Sequence, residues 1–182
     1  MHYEYLAILG ERNVQLFGDY FPIRFDYLDT IEGDNLSCQV HPKQSYIRSE
    51  FNEFMEQQES YYIMEKKGTS HVYLGLTDTC TEENFYQAVK TAQKTAIPIP
   101  LKDYVNEFEA EKGDLFLIPT GTMHASGKKI LSSRFHQQHG GLRLKSMISC
   151  AKEWMVNLVR LILITPFRIL ISIRKQRGCR RI

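Results

Sequence analysis

Gly113-Asp114-Leu115-Phe116-Leu117-Ile118-Pro119-Thr120-Gly121-Thr122-Met123-His124 is the stretch from which the fold of this 182-residue chain is read. A glycine turn feeds an apolar run, Leu115 to Ile118, that suits a buried strand. Pro119 and Gly121 are turn formers, and His124 then opens the next strand. The histidine therefore stands at a fixed offset from two turn residues. With matching ligands upstream, this hairpin is half of a metal site. Without them it is only a hairpin.

A matching set stands upstream. Leu36-Ser37-Cys38-Gln39-Val40-His41-Pro42 carries Gln39 and His41 at i and i+2. On a strand that spacing puts both side chains on one face. Glu59 opens another strand-like run that ends at Met64. Together Gln39, His41, Glu59 and His124 offer two imidazoles, an amide oxygen and a carboxylate. A borderline divalent ion such as Zn²⁺ accepts that set and keeps a position for water or substrate. A single strand histidine is more often an ordinary polar residue, so the weight rests on the joint pattern.

The pattern G-x5-P-x-G-x2-H over Gly113–His124 is similar to the second sequence signature of the cupin β-barrels. Leu36–Pro42, Glu59–Met64, Val72–Leu76 and Gly113–Ala125 together resemble type I phosphomannose isomerase (mannose-6-phosphate isomerase), in the family's order. Phe21–Asp29 also resembles the segment before the first of these motifs. The resemblance covers about residues 8 to 129.

It implies a mainly β, cupin-like (jelly-roll) barrel with short helical insertions, incomplete in this chain. It implies that Gln39, His41, Glu59 and His124 hold one divalent metal ion, Zn²⁺. It also implies interconversion of mannose 6-phosphate and fructose 6-phosphate through an enediol, with that sugar phosphate as partner. No catalytic base is assigned. Some family members carry Lys two residues before the metal-binding Glu, where this chain has Gln57. Many carry Lys where it has Asp26. The catalytic arginine expected after the last histidine is not found in the chain as written. Weak or absent turnover is therefore expected. The alternatives are a non-catalytic metal- or sugar-binding cupin and a membrane-associated protein using the basic apolar tail. Lys66, Lys67 and Lys128 could contact a sugar phosphate, though solvated surface charges are the commoner case.

The length leaves room for one domain. Four cysteines, Cys38, Cys80, Cys150 and Cys179, show no C-x-x-C or framework spacing and read as free thiols in a reducing compartment. The N-terminus lacks the pattern of a signal peptide, so a cytoplasmic location is expected. The net charge of +2 hides a break: residues 130–182 hold 11 Lys or Arg and one acid, Glu153, leaving 12 basic and 20 acidic residues before them. A basic tail of this kind suggests nucleic acid or a membrane surface. Trp154–Ile173 has about the length of a membrane span, but Asn157, Arg160, Pro166 and Arg168 interrupt it, and Arg is costly in lipid. Neither a nucleic-acid nor a membrane partner is expected.

A shifted reading frame accounts for the tail better. Taking the last base of each codon with the first two of the next, Lys129 to Gln138 permit Asn-Leu-Val-Leu-Glu-Ile-Ser-Ser-Thr, which resembles the family's next strand. Trp154-Met155 forces Asp, Met155-Val156 forces Gly, and Met147-Ile148 forces Asp, where the family pattern has Asp-Gly and Tyr-Asp. The reading thus divides the chain into a partial isomerase-like domain, 1–129, and a basic tail, 130–182, poorly ordered or helical. An unpaired sheet edge is expected where the next strand should lie, and a portion preceding Met1 is expected to be missing.

Along the first part, strands are expected at Phe21–Asp29, Leu36–Val40, Glu59–Met64, Val72–Leu76, Leu115–Ile118 and Thr122–Ala125. Lys43–Phe54 suits a short helix. Thr79 with Glu82 fits a capping box for a helix reaching about Lys94, and Leu101–Phe108 suits a second short helix. Sequencing the coding DNA through Lys128-Lys129 tests the frame reading. A one-nucleotide slip in the adenine-rich run is the expected result, and an unambiguous run that keeps the present frame in independent isolates would contradict a sequencing error.

Overall fold

The computed structural model describes residues 4–21, 23–52, 55–97, 99–137 and 146–147. Two short helices come first, α1 (Tyr5–Leu9) and α2 (Glu11–Phe17). Then follow β1 (Ile23–Asp29), β2 (Gln39–Val40), α3 (Gln44–Phe51), β3 (Glu59–Lys66), β4 (His71–Leu76) and α4 (Glu82–Thr95). After a 3-10 turn at Leu101–Asp103 come β5 (Val105–Glu109), β6 (Leu115–Ile118), β7 (His124–Ser126), β8 (Ile130–Gln137) and β9 (Ser146–Met147). The described strands form two antiparallel sheets, ordered β1-β8-β3-β6 and β5-β4-β7-β2-β9. This is the jelly-roll-like arrangement expected, without closure into a barrel among the described residues.

Strand alternation decides which face holds what. Along 38–41, Cys38 and Val40 join Met123, Ala125, Val105, Phe85 and Val89 in one apolar cluster. That cluster seats α4 on the outer face of the five-stranded sheet. The intervening residues, Gln39, His41 and His124, consequently face the other way, because successive strand side chains alternate. Between the sheets, Tyr61, Ile63, Phe116, Ile118 and Ile130 of one meet Val72 and Leu74 of the other. The outer face of the four-stranded sheet is apolar yet exposed, with Phe25, Tyr27, Tyr62, Leu117 and Phe135 on it.

Three expectations need correction. Leu101–Phe108 is not a helix: only one 3-10 turn forms, and β5 then pairs with β4, His71 opposite Glu109 and Val72 opposite Phe108. Val105, buried, and its polar neighbours fit a half-buried strand better than a helix face. The capping box of α4 uses Thr81 and not Thr79. Asn84 N–H donates to Thr81 Oγ1 at 3.2 Å, and Thr81 N–H donates to Asn84 Oδ1 at 2.9 Å. The third concerns the stretch after Lys129, where an unpaired edge was expected. Instead β8 lies inside its sheet, antiparallel to β1 on one side and β3 on the other.

The eight residues of β8 therefore belong with the sheets, and the division after Lys129 falls before a central strand. The physical reason is that ladder hydrogen bonds come from the backbone. Ile130, Ser132 and Arg134 are buried on one face, and the small serines fit between neighbours. Residues 138–145 and 148–182 lie outside the described residues, and with them Trp154–Ile173. No described helix is long and apolar enough to cross a membrane.

Gly127, between β7 and β8, holds the entry to that strand against β4. Its N–H donates to the His71 carbonyl at 3.0 Å, and a Cβ placed on it would lie 2.3 Å from that same oxygen. The neighbour is backbone and cannot step aside cheaply. Gly127→Ala is expected to cost about 1–3 kcal/mol by overpacking, read as a lower urea midpoint. An unchanged midpoint would contradict this packing.

Candidate metal centre

Residues from both sheets meet in the space between them. Gln39 on β2 lies opposite His124 on β7 in the strand register. His41 follows two residues later on the same side. Glu59 opens β3 in the other sheet, opposite Ile118 and His136. One ring or carboxylate atom from each of His41, Glu59 and His124 lies within 4.8 Å of the others. All three side chains are buried, His124 completely.

The turn in the opening motif positions them. Gly121 N–H donates to the His41 carbonyl at 2.8 Å, and Thr120 Oγ1 donates to the Gln57 carbonyl at 2.9 Å. One turn thus ties down both the His41 segment and the run leading into Glu59. Gly121 has φ +85°, and a Cβ there would meet Lys43 Cε at 3.0 Å. That conformation and that close approach explain a glycine at this place in the motif.

The hydrogen bonding assigns lone pairs. His124 Nδ1 lies 2.8 Å from the Thr122 carbonyl. A carbonyl only accepts, so Nδ1 carries the proton, and in the neutral ring Nε2 presents a lone pair. That Nε2 faces Glu59 Oε1 at 3.5 Å, and neither atom has a hydrogen-bond partner among the described residues. Two acceptors facing each other in a dry space are repulsive unless a cation or proton lies between them. The other carboxylate oxygen is served: Gln57 Nε2 donates to Glu59 Oε2 at 2.9 Å, and His41 Nε2 lies 3.0 Å from it.

Burial alone would push the Glu59 carboxyl up, but His124 and His41 outweigh it and hold it far below the usual carboxylate range. Burial pushes the His41 imidazole down, against the pull of Glu59, so it is neutral at pH 7. An ionised carboxylate, the neutral His41 imidazole and the His124 ring, its Nδ1 engaged by the Thr122 carbonyl, form a donor set that suits a divalent metal. Gln39 is buried beside them, and its side chain contacts the Tyr61 hydroxyl, which also touches Glu59. The residues present thus fit a metal ion.

Two features were not foreseen from the sequence. Gln57, read there only as a missing lysine, bridges Glu59 and His41, lying 3.2 Å from His41 Nε2. Arg134 on β8 lies with Nη1 4.0 Å from Glu59 Oε1 and clamps Asp26 of β1 through Nε, at 2.8 Å, and Nη2. A cation is therefore present beside Glu59, contrary to the expectation that the stretch after His124 would supply none. Lys66 and Lys67 pair with Glu111 and Glu32 at the surface, which is the commoner role considered for them.

No family model matches the chain. It is 29% identical over 123 residues to the mannose-6-phosphate isomerase ManA of Bacillus subtilis, covering 68% of this chain and 36% of that protein. It is 31% identical over 121 residues to the mannose-6-phosphate isomerase of Streptococcus mutans, covering 64% and 35%. The chain thus spans about a third of the length of the curated relatives it matches. Among solved structures, the mannose 6-phosphate isomerase of Bacillus subtilis superposes with a TM-score of 0.61 at 20% identity, over 80% of this chain and 43% of that one. A mutant phosphomannose isomerase from Salmonella typhimurium gives 0.63 at 13% identity, over 87% and 58%. By sequence the chain is similar to mannose-6-phosphate isomerases over about a third of their length, and its fold is similar to that of solved phosphomannose isomerases.

Proposed function

We propose that the site binds one Zn²⁺ through His41, Glu59 and His124, with the Gln39 amide oxygen as fourth ligand, and that its substrate class is mannose 6-phosphate and fructose 6-phosphate. The observation that carries this reading is the pair of partnerless acceptors, His124 Nε2 and Glu59 Oε1, aimed at one another between the sheets. Similarity to mannose-6-phosphate isomerases supplies the substrate class.

The isomerisation moves a proton between C1 and C2 of the sugar through an enediol. A bound divalent ion would polarise the sugar oxygens and stabilise developing negative charge. The chain's own residues do the holding. Gln57 fixes Glu59 Oε2, the Thr122 carbonyl fixes the tautomer of His124, and the Gly121 turn fixes His41. The Tyr61 hydroxyl stands beside Glu59 and Gln39, and burial with the nearby Glu59 charge pushes its ionisation well above the ordinary value. Tyr61 is therefore a neutral hydroxyl at pH 7, able to donate or accept a hydrogen bond but not to serve as a strong base.

What the site lacks is a proton acceptor two residues before Glu59, since the Gln57 amide does not take up a proton at neutral pH. That favours slow turnover, or metal binding without turnover. A positioned general base contributes about 10²–10⁴-fold to rate, and a deficit of that order is expected relative to a full-length relative.

Metal content by mass spectrometry and a coupled isomerase assay test the reading together on the purified chain. About one zinc per chain is expected, with His124→Ala weakening zinc by more than about 100-fold, since even outer-shell changes cost 10–100-fold. A chain that takes up no zinc would overturn the metal reading. Turnover equal to that of a relative would overturn the argument from Gln57.

A further inference from the structure

Arg134 carries charge into a place where a metal site ordinarily carries none. Its side chain is 9% exposed, against 40% for its partner Asp26. The two lie opposite each other in the β1–β8 register, and Arg134 lies opposite Tyr61 in the β3–β8 register. The guanidinium consequently points between the sheets, toward the Glu59 oxygen that has no hydrogen-bond partner. It cannot lose its proton there. Burial disfavours the charge, but Asp26 and Glu59 more than compensate.

We propose that Arg134 is a positioning residue of the centre, orienting Glu59 by charge and, to the degree that Asp26 leaves it uncompensated, weakening the hold of the cluster on a divalent cation. This rests on the metal reading of His41, Glu59 and His124. A fixed positive charge beside the one carboxylate of a metal site satisfies that carboxylate in the metal's place. It also repels the metal, at a range where water screens the pair only in part. Asp26 opposes both effects, because its carboxylate holds the guanidinium from the side away from Glu59 and cancels part of its charge.

The two partners of this salt bridge therefore act on metal affinity with opposite signs. A purely structural pair would not behave so: breaking it from either side would loosen the sheet and lower affinity both times. Zinc titration of the full chain against a competing chelator separates these cases. Arg134→Gln is expected to bind zinc about ten-fold more tightly, and Asp26→Asn several-fold less tightly than the unaltered chain, a like-charge effect of the order expected at partly screened range.

Weaker binding in both variants, or no change in either, overturns the proposal while leaving the metal centre in place. Absence of zinc from the unaltered chain overturns the metal centre and this inference with it. Asp26 is partly exposed, so its asparagine variant keeps the test usable if Arg134→Gln does not fold. Weaker zinc in Asp26→Asn at an unchanged urea midpoint then supports the role of Arg134; unchanged or tighter zinc, or a loss that accompanies a lower midpoint, overturns it.

Discussion

A carboxylate buried between two sheets must be answered by charge or hydrogen bonds, and Glu59 is that carboxylate. Left alone it would cost several kcal/mol in so dry a place. The fold answers one oxygen with the Gln57 amide, and His41 Nε2 lies beside it. Near the other it sets two groups that do not close a hydrogen bond: His124 Nε2 at 3.5 Å, whose lone pair repels it, and the guanidinium of Arg134 at 4.0 Å. The arrangement is half finished on that side. A cation seated between His124 and Glu59 would complete it, which is why the site reads as a metal centre and not as a buried polar network.

The rest of the structure can be understood as what keeps that carboxylate where it is. Alternation along 38–41 and 123–125 turns the apolar residues out to α4 and the polar ones in toward Glu59. One glycine turn is bonded to the His41 segment and, through Thr120, to Gln57. The hydrogen bond from Nδ1 to the Thr122 carbonyl fixes which nitrogen His124 offers. Each removes a freedom that a bound ion would otherwise have to remove at its own expense.

The candidate ligands were legible because motif spacing fixes them locally: Gln39 and His41 by strand period, His124 by its offset from Pro119 and Gly121. Glu59 needed the joint pattern, since an acid at a strand start is unremarkable by itself. The strand at 105–109 was misread because five residues are too few to separate period two from a helix. Thr79 and Thr81 both precede α4, and only Asn84 decides between them, through a reciprocal bond that composition does not reveal. β8 was hidden for a different reason. Its side chains depart from the resembled pattern, yet a strand between two partners is held by backbone bonds that do not depend on side-chain identity. The role of Arg134 depends on Asp26, 108 residues away in the chain, and no local signal carries such a pairing.

The central claim is that His41, Glu59 and His124 surround a single divalent ion. Anomalous diffraction at the zinc edge, from crystals grown with zinc, tests it most directly. The account predicts one strong peak between the sheets, about 2.0–2.2 Å from a ring nitrogen of each histidine and from an oxygen of Glu59. A structure with Glu59 and His124 still facing one another and no anomalous peak between them would contradict it.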